Sequence, residues 1–69
     1  MRNGVIIANG RPIEARFPCT LAEFLLAQEH SPRSVVVEHN GQAVAPSEFA
    51  SRPLQAGDRI EIVQIVAGG

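Results

Sequence analysis

Two of the three Asn-Gly dipeptides, Asn9-Gly10 and Asn40-Gly41, each follow a short β-branched run, and they restrict this chain more than any other feature. A two-residue loop of this kind needs φ > 0 at both positions, which Asn tolerates and Gly adopts freely. It turns the flanking segments into an antiparallel hairpin. Val5-Ile6-Ile7-Ala8 is therefore expected to be a strand, returning over Arg11 to Phe17 with Ile13, Ala15 and Phe17 alternating against Glu14 and Arg16. Pro12 lacks a backbone donor and belongs on an edge strand. Val35-Val36-Val37 opens the second hairpin, with a short return over Gln42 to Ala45.

Between the hairpins, Thr20-Leu21-Ala22-Glu23 has the form of a capping box, Thr at the N-cap and Glu at N3. Cys19 and Phe24 occupy the two staple positions around it. The spacing of Leu21, Phe24, Leu25 and Gln28 predicts a helix from Leu21 to about His30, ended by Ser31-Pro32. Pro46 to Leu54 is expected to be irregular, or to hold one short helical turn over Pro46 to Ala50. Gln55-Ala56-Gly57-Asp58 reads as a tight turn into the last strand, Arg59 to Val66, the longest and most apolar of the chain.

A continuously apolar strand belongs inside a sheet, whereas Pro12 and the short 42–45 segment belong at its edges. Placing the last strand between the two inner hairpin strands, parallel to the first, satisfies both conditions. One helix then covers one face of a five-stranded mixed sheet, an α+β arrangement of the β-grasp, or ubiquitin-like, kind. Residues 1–66 are expected to form this domain and 67–69 a flexible Gly-Gly arm.

With 69 residues there is room for one small core, and 45% apolar content suffices to build it. The net charge is −1 and the six arginines are scattered among acids, so no basic stripe marks a nucleic-acid site. A single cysteine excludes an internal disulfide framework. No run approaches the length of a membrane span and no signal-peptide pattern opens the chain, so a cytoplasmic protein away from membranes is expected.

Catalytic constellations are missing from the pattern: there is no strand–GxxxxGK–helix phosphate loop and no recognisable acid/base pair. His30, His39 and Cys19 stand singly, without metal-ligand spacing. Neither a catalytic nor a metal site is expected, nor any cofactor bound by the chain itself. Cys19 precedes a helix N-terminus, a position that can lower a thiol pKa, while packing in the staple position is its simpler and expected role. His30 is expected to complement the helix dipole, and His39 to be a solvated strand-end residue.

The last strand and the end of the chain are the remaining candidates. Ile60, Ile62, Gln64 and Val66 share one face, and Glu61, Val63 and Ile65 the other. If Ile60 and Ile62 pack under the helix, Val63 and Ile65 form an apolar patch on the open face beside the tail. Gly68-Gly69 follows at once, an arm without Cβ atoms that fits a narrow active site of another protein.

These residues resemble the ThiS-type sulfur carriers of the ubiquitin-like ThiS/MoaD group. The resemblance covers nearly the whole chain from Val5: the ββαββ…β order, the Thr20 helix start, Gln55-Ala56-Gly57-Asp58-Arg59-Ile60 and the terminal Val63-Gln64-Ile65-Val66-Ala67-Gly68-Gly69. The ending Gln-Ile-Val-Ala-Gly-Gly is similar to the thiamine branch, and the proline-containing stretch common before the last glycines of the molybdopterin branch is missing. The resemblance implies a carrier, not an enzyme, monomeric when free. Gly69 would be adenylated by an E1-like enzyme using ATP, then converted to a thiocarboxylate with sulfur from a cysteine-desulfurase pathway. Thiazole synthase would receive that sulfur. Ala67 and Gly68 would form the slim approach, with Val63, Ile65 and Val66 as partner contacts. The alternatives are a carrier for molybdopterin or another sulfur metabolite, and a modifier or interaction domain conjugated through Gly69.

Overall fold

Asn9 and Gly10 have φ of 51° and 80°, and Asn40 and Gly41 have 51° and 86°, so both dipeptides form the mirror-image turns that hairpins require. The first joins β1 (Arg2–Ala8) to β2 (Arg11–Phe17) and the second joins β4 (Val35–His39) to β5 (Gln42–Val44). This computed structural model describes residues 1–65. Two short strands, β3 (Cys19–Thr20) and β6 (Pro53–Leu54), pair separately, with Cys19 opposite Leu54. The last strand, β7 (Arg59–Gln64), completes a five-stranded sheet of order β2-β1-β7-β4-β5.

β7 lies in the centre, parallel to β1 and antiparallel to β4, as its apolar run requires. Pro12 is on the edge strand β2, opposite Ile7. The single α-helix among the described residues, α1 (Leu21–Ala27), covers one face of the sheet. Ile6, Leu21, Leu25, Val37 and Ile60 are fully enclosed between the two layers, with Phe17, Phe24, Phe49 and Leu54 around them. The mixed sheet with one covering helix is the β-grasp arrangement.

Several boundaries differ from the sequence expectation. β1 starts at Arg2, not Val5, because its pairing with β2 continues to Arg2 opposite Phe17. The helix ends at Ala27, not near His30. There Glu29 takes φ 63°, and the amides of Glu29 and His30 turn back to the carbonyls of Leu26 and Leu25, at 2.9 and 2.8 Å. That is a Schellman closure with glutamate where glycine is usual. His30 therefore lies beyond the helix instead of in its last turn. Short 3₁₀ turns occupy Pro32–Ser34 and Pro46–Glu48, the second inside the segment where one turn was expected. β7 is regular only to Gln64, and Val66 lies outside the described residues.

The capping box forms as the sequence predicts. The Thr20 amide donates to Glu23 Oε1 at 2.8 Å and the Glu23 amide to Thr20 Oγ1 at 3.2 Å. The Leu21 and Ala22 amides donate to the carbonyls of Arg52 and Phe49, which ties the long connector to the helix start.

Candidate functional site

The C-terminal strand is gripped from both sides by the two turn asparagines. Asn9, just past the end of β1, uses its side chain as an extra strand residue. Its Oδ1 accepts from the Ile62 amide at 2.7 Å and its Nδ2 donates to the Ile62 carbonyl at 3.0 Å. On the opposite side Asn40 Oδ1 accepts from the Arg59 amide at 2.8 Å, while the Asn40 amide donates to the Arg59 carbonyl. Past the regular strand, the Ile65 amide donates to the Ser34 carbonyl at 2.7 Å. The main chain is thus fixed on the sheet as far as Ile65. Candidate residues Val66, Ala67, Gly68 and Gly69 lie outside the described residues.

Alternation along β7 sends Ile60 and Ile62 under α1 and leaves Glu61 and Val63 on the other face. Val63 is 62% and Ile65 52% exposed, at the end of the described residues. Val36 of β4 stands directly opposite Val63 and is 51% exposed, so it enlarges the same apolar surface. Val36 is a member of this surface that the sequence pattern alone does not single out. Its signal was present, since alternation in Val35-Val36-Val37 puts the middle valine on the open face, but only the β4–β7 register brings it to Val63.

His39 is not solvated; it is buried at the end of β4. Arg52 Nε donates to His39 Nδ1 at 2.9 Å, which assigns the ring proton to Nε2, and Nε2 donates to Asp58 Oδ2 at 2.7 Å. Asp58 also accepts from the Gln55 amide at 2.8 Å and from Asn40 Nδ2 at 3.3 Å. Burial alone raises the Asp58 pKa and is the largest single influence, but the bonds from His39, Gln55 and Asn40 together hold it below its ordinary value. With every ring nitrogen of His39 engaged, this cluster fastens the turn before β7 to the β4–β5 hairpin. Its chemistry is that of a brace.

Cys19 packs half-buried against the core in the staple position. Burial, and secondarily the Glu23 carboxylate, raise its thiol above the ordinary value. The simpler role, packing in the staple position, is the one observed, and the first-turn amides that would stabilise a thiolate already bond Arg52, Phe49 and Thr20. Among the described residues no group of His, Cys, Asp and Glu converges as a metal site, and no helix is long and apolar enough to cross a membrane.

Comparisons with known proteins agree with this architecture. The crystal structure of the thiamine biosynthesis protein ThiS from Geobacter metallireducens superposes with a TM-score of 0.79 at 25% identity, over 94% of this chain and 99% of that one. The solution structure of a thiamine biosynthesis protein from the same organism gives 0.77 at 25% identity, over 94% and 87%. A protein named thiazole synthase from Magnetococcus marinus is 34% identical over 61 residues, which is 88% of this chain but 19% of that relative's length. The model of the ThiS family matches residues 6–69, from within β1 through the last residue of the chain. On that match, and on the shared β-grasp arrangement, the chain belongs to the ThiS family.

Proposed function

We propose that this chain is a sulfur carrier for building the thiazole ring of thiamine, and that the atom it presents belongs to the Gly69 carboxylate. The observation that carries this reading is the family match running through Gly69, on a body whose central strand ends at Gln64, five residues earlier in the sequence. A carboxylate is a poor electrophile. An E1-like adenylating enzyme therefore joins it to AMP from ATP with release of pyrophosphate; a persulfide from a cysteine-desulfurase pathway then displaces AMP to give an acyl disulfide, and a thiol cleaves the S–S bond, becoming a disulfide itself and freeing the thiocarboxylate. The resulting thiocarboxylate is a soft nucleophile suited to attack in the active site of thiazole synthase. The chain contributes delivery and performs no bond chemistry of its own. Its work is done in the cytoplasm, and free of its partners it is monomeric.

Support for thiazole synthase as the acceptor comes from the Magnetococcus marinus relative, in which a ThiS-like stretch belongs to a longer protein of that name. Val63 and Ile65, with Val66 beyond them, are the contacts that seat the carrier, and Ala67 and Gly68 thread the end inward. Both named structural relatives are thiamine proteins, which favours this pathway over molybdopterin.

Intact mass of the chain, produced with its adenylating enzyme and sulfur source, tests the reading. One oxygen replaced by one sulfur at Gly69 is the expected product; persistent absence of that species overturns it. Removing Gly69 should abolish transfer with folding unchanged, since a terminal residue adds little packing. A strain lacking the gene should grow again when given thiazole, and loss of molybdoenzyme activity instead would assign the other pathway.

A further inference from the structure

Beside the apolar surface of Val36, Val63 and Ile65 stand two glutamates that the fold does not need. Glu38 on β4 and Glu61 on β7 are direct register partners, both exposed on the face away from α1. Among the described residues neither forms an ion pair. Arg59 shares the face two residues before Glu61, yet it too is unpaired with them. Like charges directly opposite each other weaken a sheet, and nearly any neutral pair would serve the strands better. The next pair on the same face, two residues along each strand, is the exposed Val36 and Val63. The same face therefore combines an uncompensated acidic pair with an apolar patch, and its Ile65 stands four residues before Gly69.

Resting on the carrier reading above, we propose that Glu38 and Glu61 form a charge-reading element of the docking face. They select a protein partner that sets an apolar pocket over Val36 and Val63 and an arginine or lysine over the two carboxylates. Charge complementarity at the edge of an apolar contact acts mainly on association rate and on rejection of wrong partners. A second copy of this chain is rejected, because a two-fold contact through this face brings four carboxylates together around the valines. Nucleic acid and anionic membranes are repelled by the same pair. Thiazole synthase, the partner to which the relative's name points, is the protein on which the inference is tested.

The test compares wild type, Glu61→Arg and Glu61→Asp as full chains, measuring association with purified thiazole synthase at low and high salt beside thermal unfolding. Glu61→Arg turns the repulsion with Glu38 into attraction, so its Tm should rise. Its association rate at low salt should fall about tenfold, with the gap closing as salt screens the charge. Glu61→Asp keeps the charge and should associate like wild type. Stability and binding moving in opposite directions is an outcome that a purely structural role for Glu61 does not give. Equal association rates for wild type and Glu61→Arg overturn the inference, as does a wild-type chain that fails to bind the synthase or that sediments as a dimer dissociated by Val63→Asp. A thiocarboxylate formed on wild type, together with unchanged binding by Glu61→Arg, removes this inference and leaves the carrier reading standing. A Gly69 that stays a carboxylate beside its adenylating enzyme removes the carrier reading itself.

Discussion

The side chain of Asn9 pairs with both main-chain groups of Ile62, a residue 53 positions later, as though the first strand continued past its own turn. One residue thus has two tasks: its backbone at φ 51° makes the hairpin, and its amide extends the parallel ladder along β7. Asn9→Gly separates them, because glycine takes the same φ without strain while both side-chain bonds disappear. Two hydrogen bonds lost at a partly buried edge cost about 1–3 kcal/mol. For a domain of this size that lowers Tm by roughly 4–8 °C per kcal/mol. Hydrogen exchange should show the Ile62 amide opening faster while the amides of β2 stay protected. An unchanged Ile62 amide would mean that water replaces Asn9 at no cost.

Asn9 also shows what was legible in the sequence. The hairpins, capped helix and central last strand follow from signals only a few residues long, and each agrees with the others. The open face of Val63 and Ile65 follows from strand alternation. Hidden were the features made by distant partners: Ile62 beside Asn9, and His39, whose burial depends on Arg52 and Asp58, 13 and 19 positions away. The early helix end at Ala27 escaped because glutamate does not announce a left-handed residue. The Thr20 box, by contrast, is legible since both its partners lie within one turn.

Asp58 makes stability sensitive to acid. Its carboxyl titrates below the ordinary value in the folded chain, through bonds that outweigh its burial. The ionised form therefore favours the fold. That contribution is complete above the unfolded value of about 3.9 and is lost as pH falls below it, through the folded value. Asp58→Asn keeps the shape and removes the charge. At pH 7 it should cost about 1 kcal/mol, the difference between charge-assisted and neutral hydrogen bonds. The gap from wild type should narrow as pH falls below about 4. Urea midpoints from pH 3 to 7 check this, and parallel curves for the two proteins would refute the assignment.

Glu29 is strained where it stands. An L-residue in the left-handed region costs roughly 1–2 kcal/mol, and glycine avoids this at an entropic cost of about 0.5–1 kcal/mol in the unfolded chain. Glu29→Gly should therefore raise stability by about 0.5–1 kcal/mol, with the Leu25–His30 closure intact. Glu29→Ala keeps the strain and should gain nothing. Matching unfolding midpoints for the two variants would mean that the strain is relieved elsewhere.

Gly4 is the reverse case, a glycine demanded by close approach and not by dihedral. A Cβ there would lie 2.8 Å from Ala56 Cβ and 2.8 Å from Phe17 Cε1. Neither neighbour can yield easily. Phe17 is buried in the core, and the turn carrying Ala56 is tied to β1 by the Gly57 amide, which donates to the Val5 carbonyl at 2.7 Å. In an open strand Gly→Ala is favourable by about 0.5–1 kcal/mol. Here overpacking should reverse the sign and cost about 1–3 kcal/mol, read as a lower urea midpoint at unchanged slope. Phe17→Leu removes the ring atom that the new methyl meets, so adding it to Gly4→Ala should cost less than adding it to wild type. Additive losses would show that the clash is with Ala56 alone, and that the turn before the last strand, not the core, sets the limit at this position.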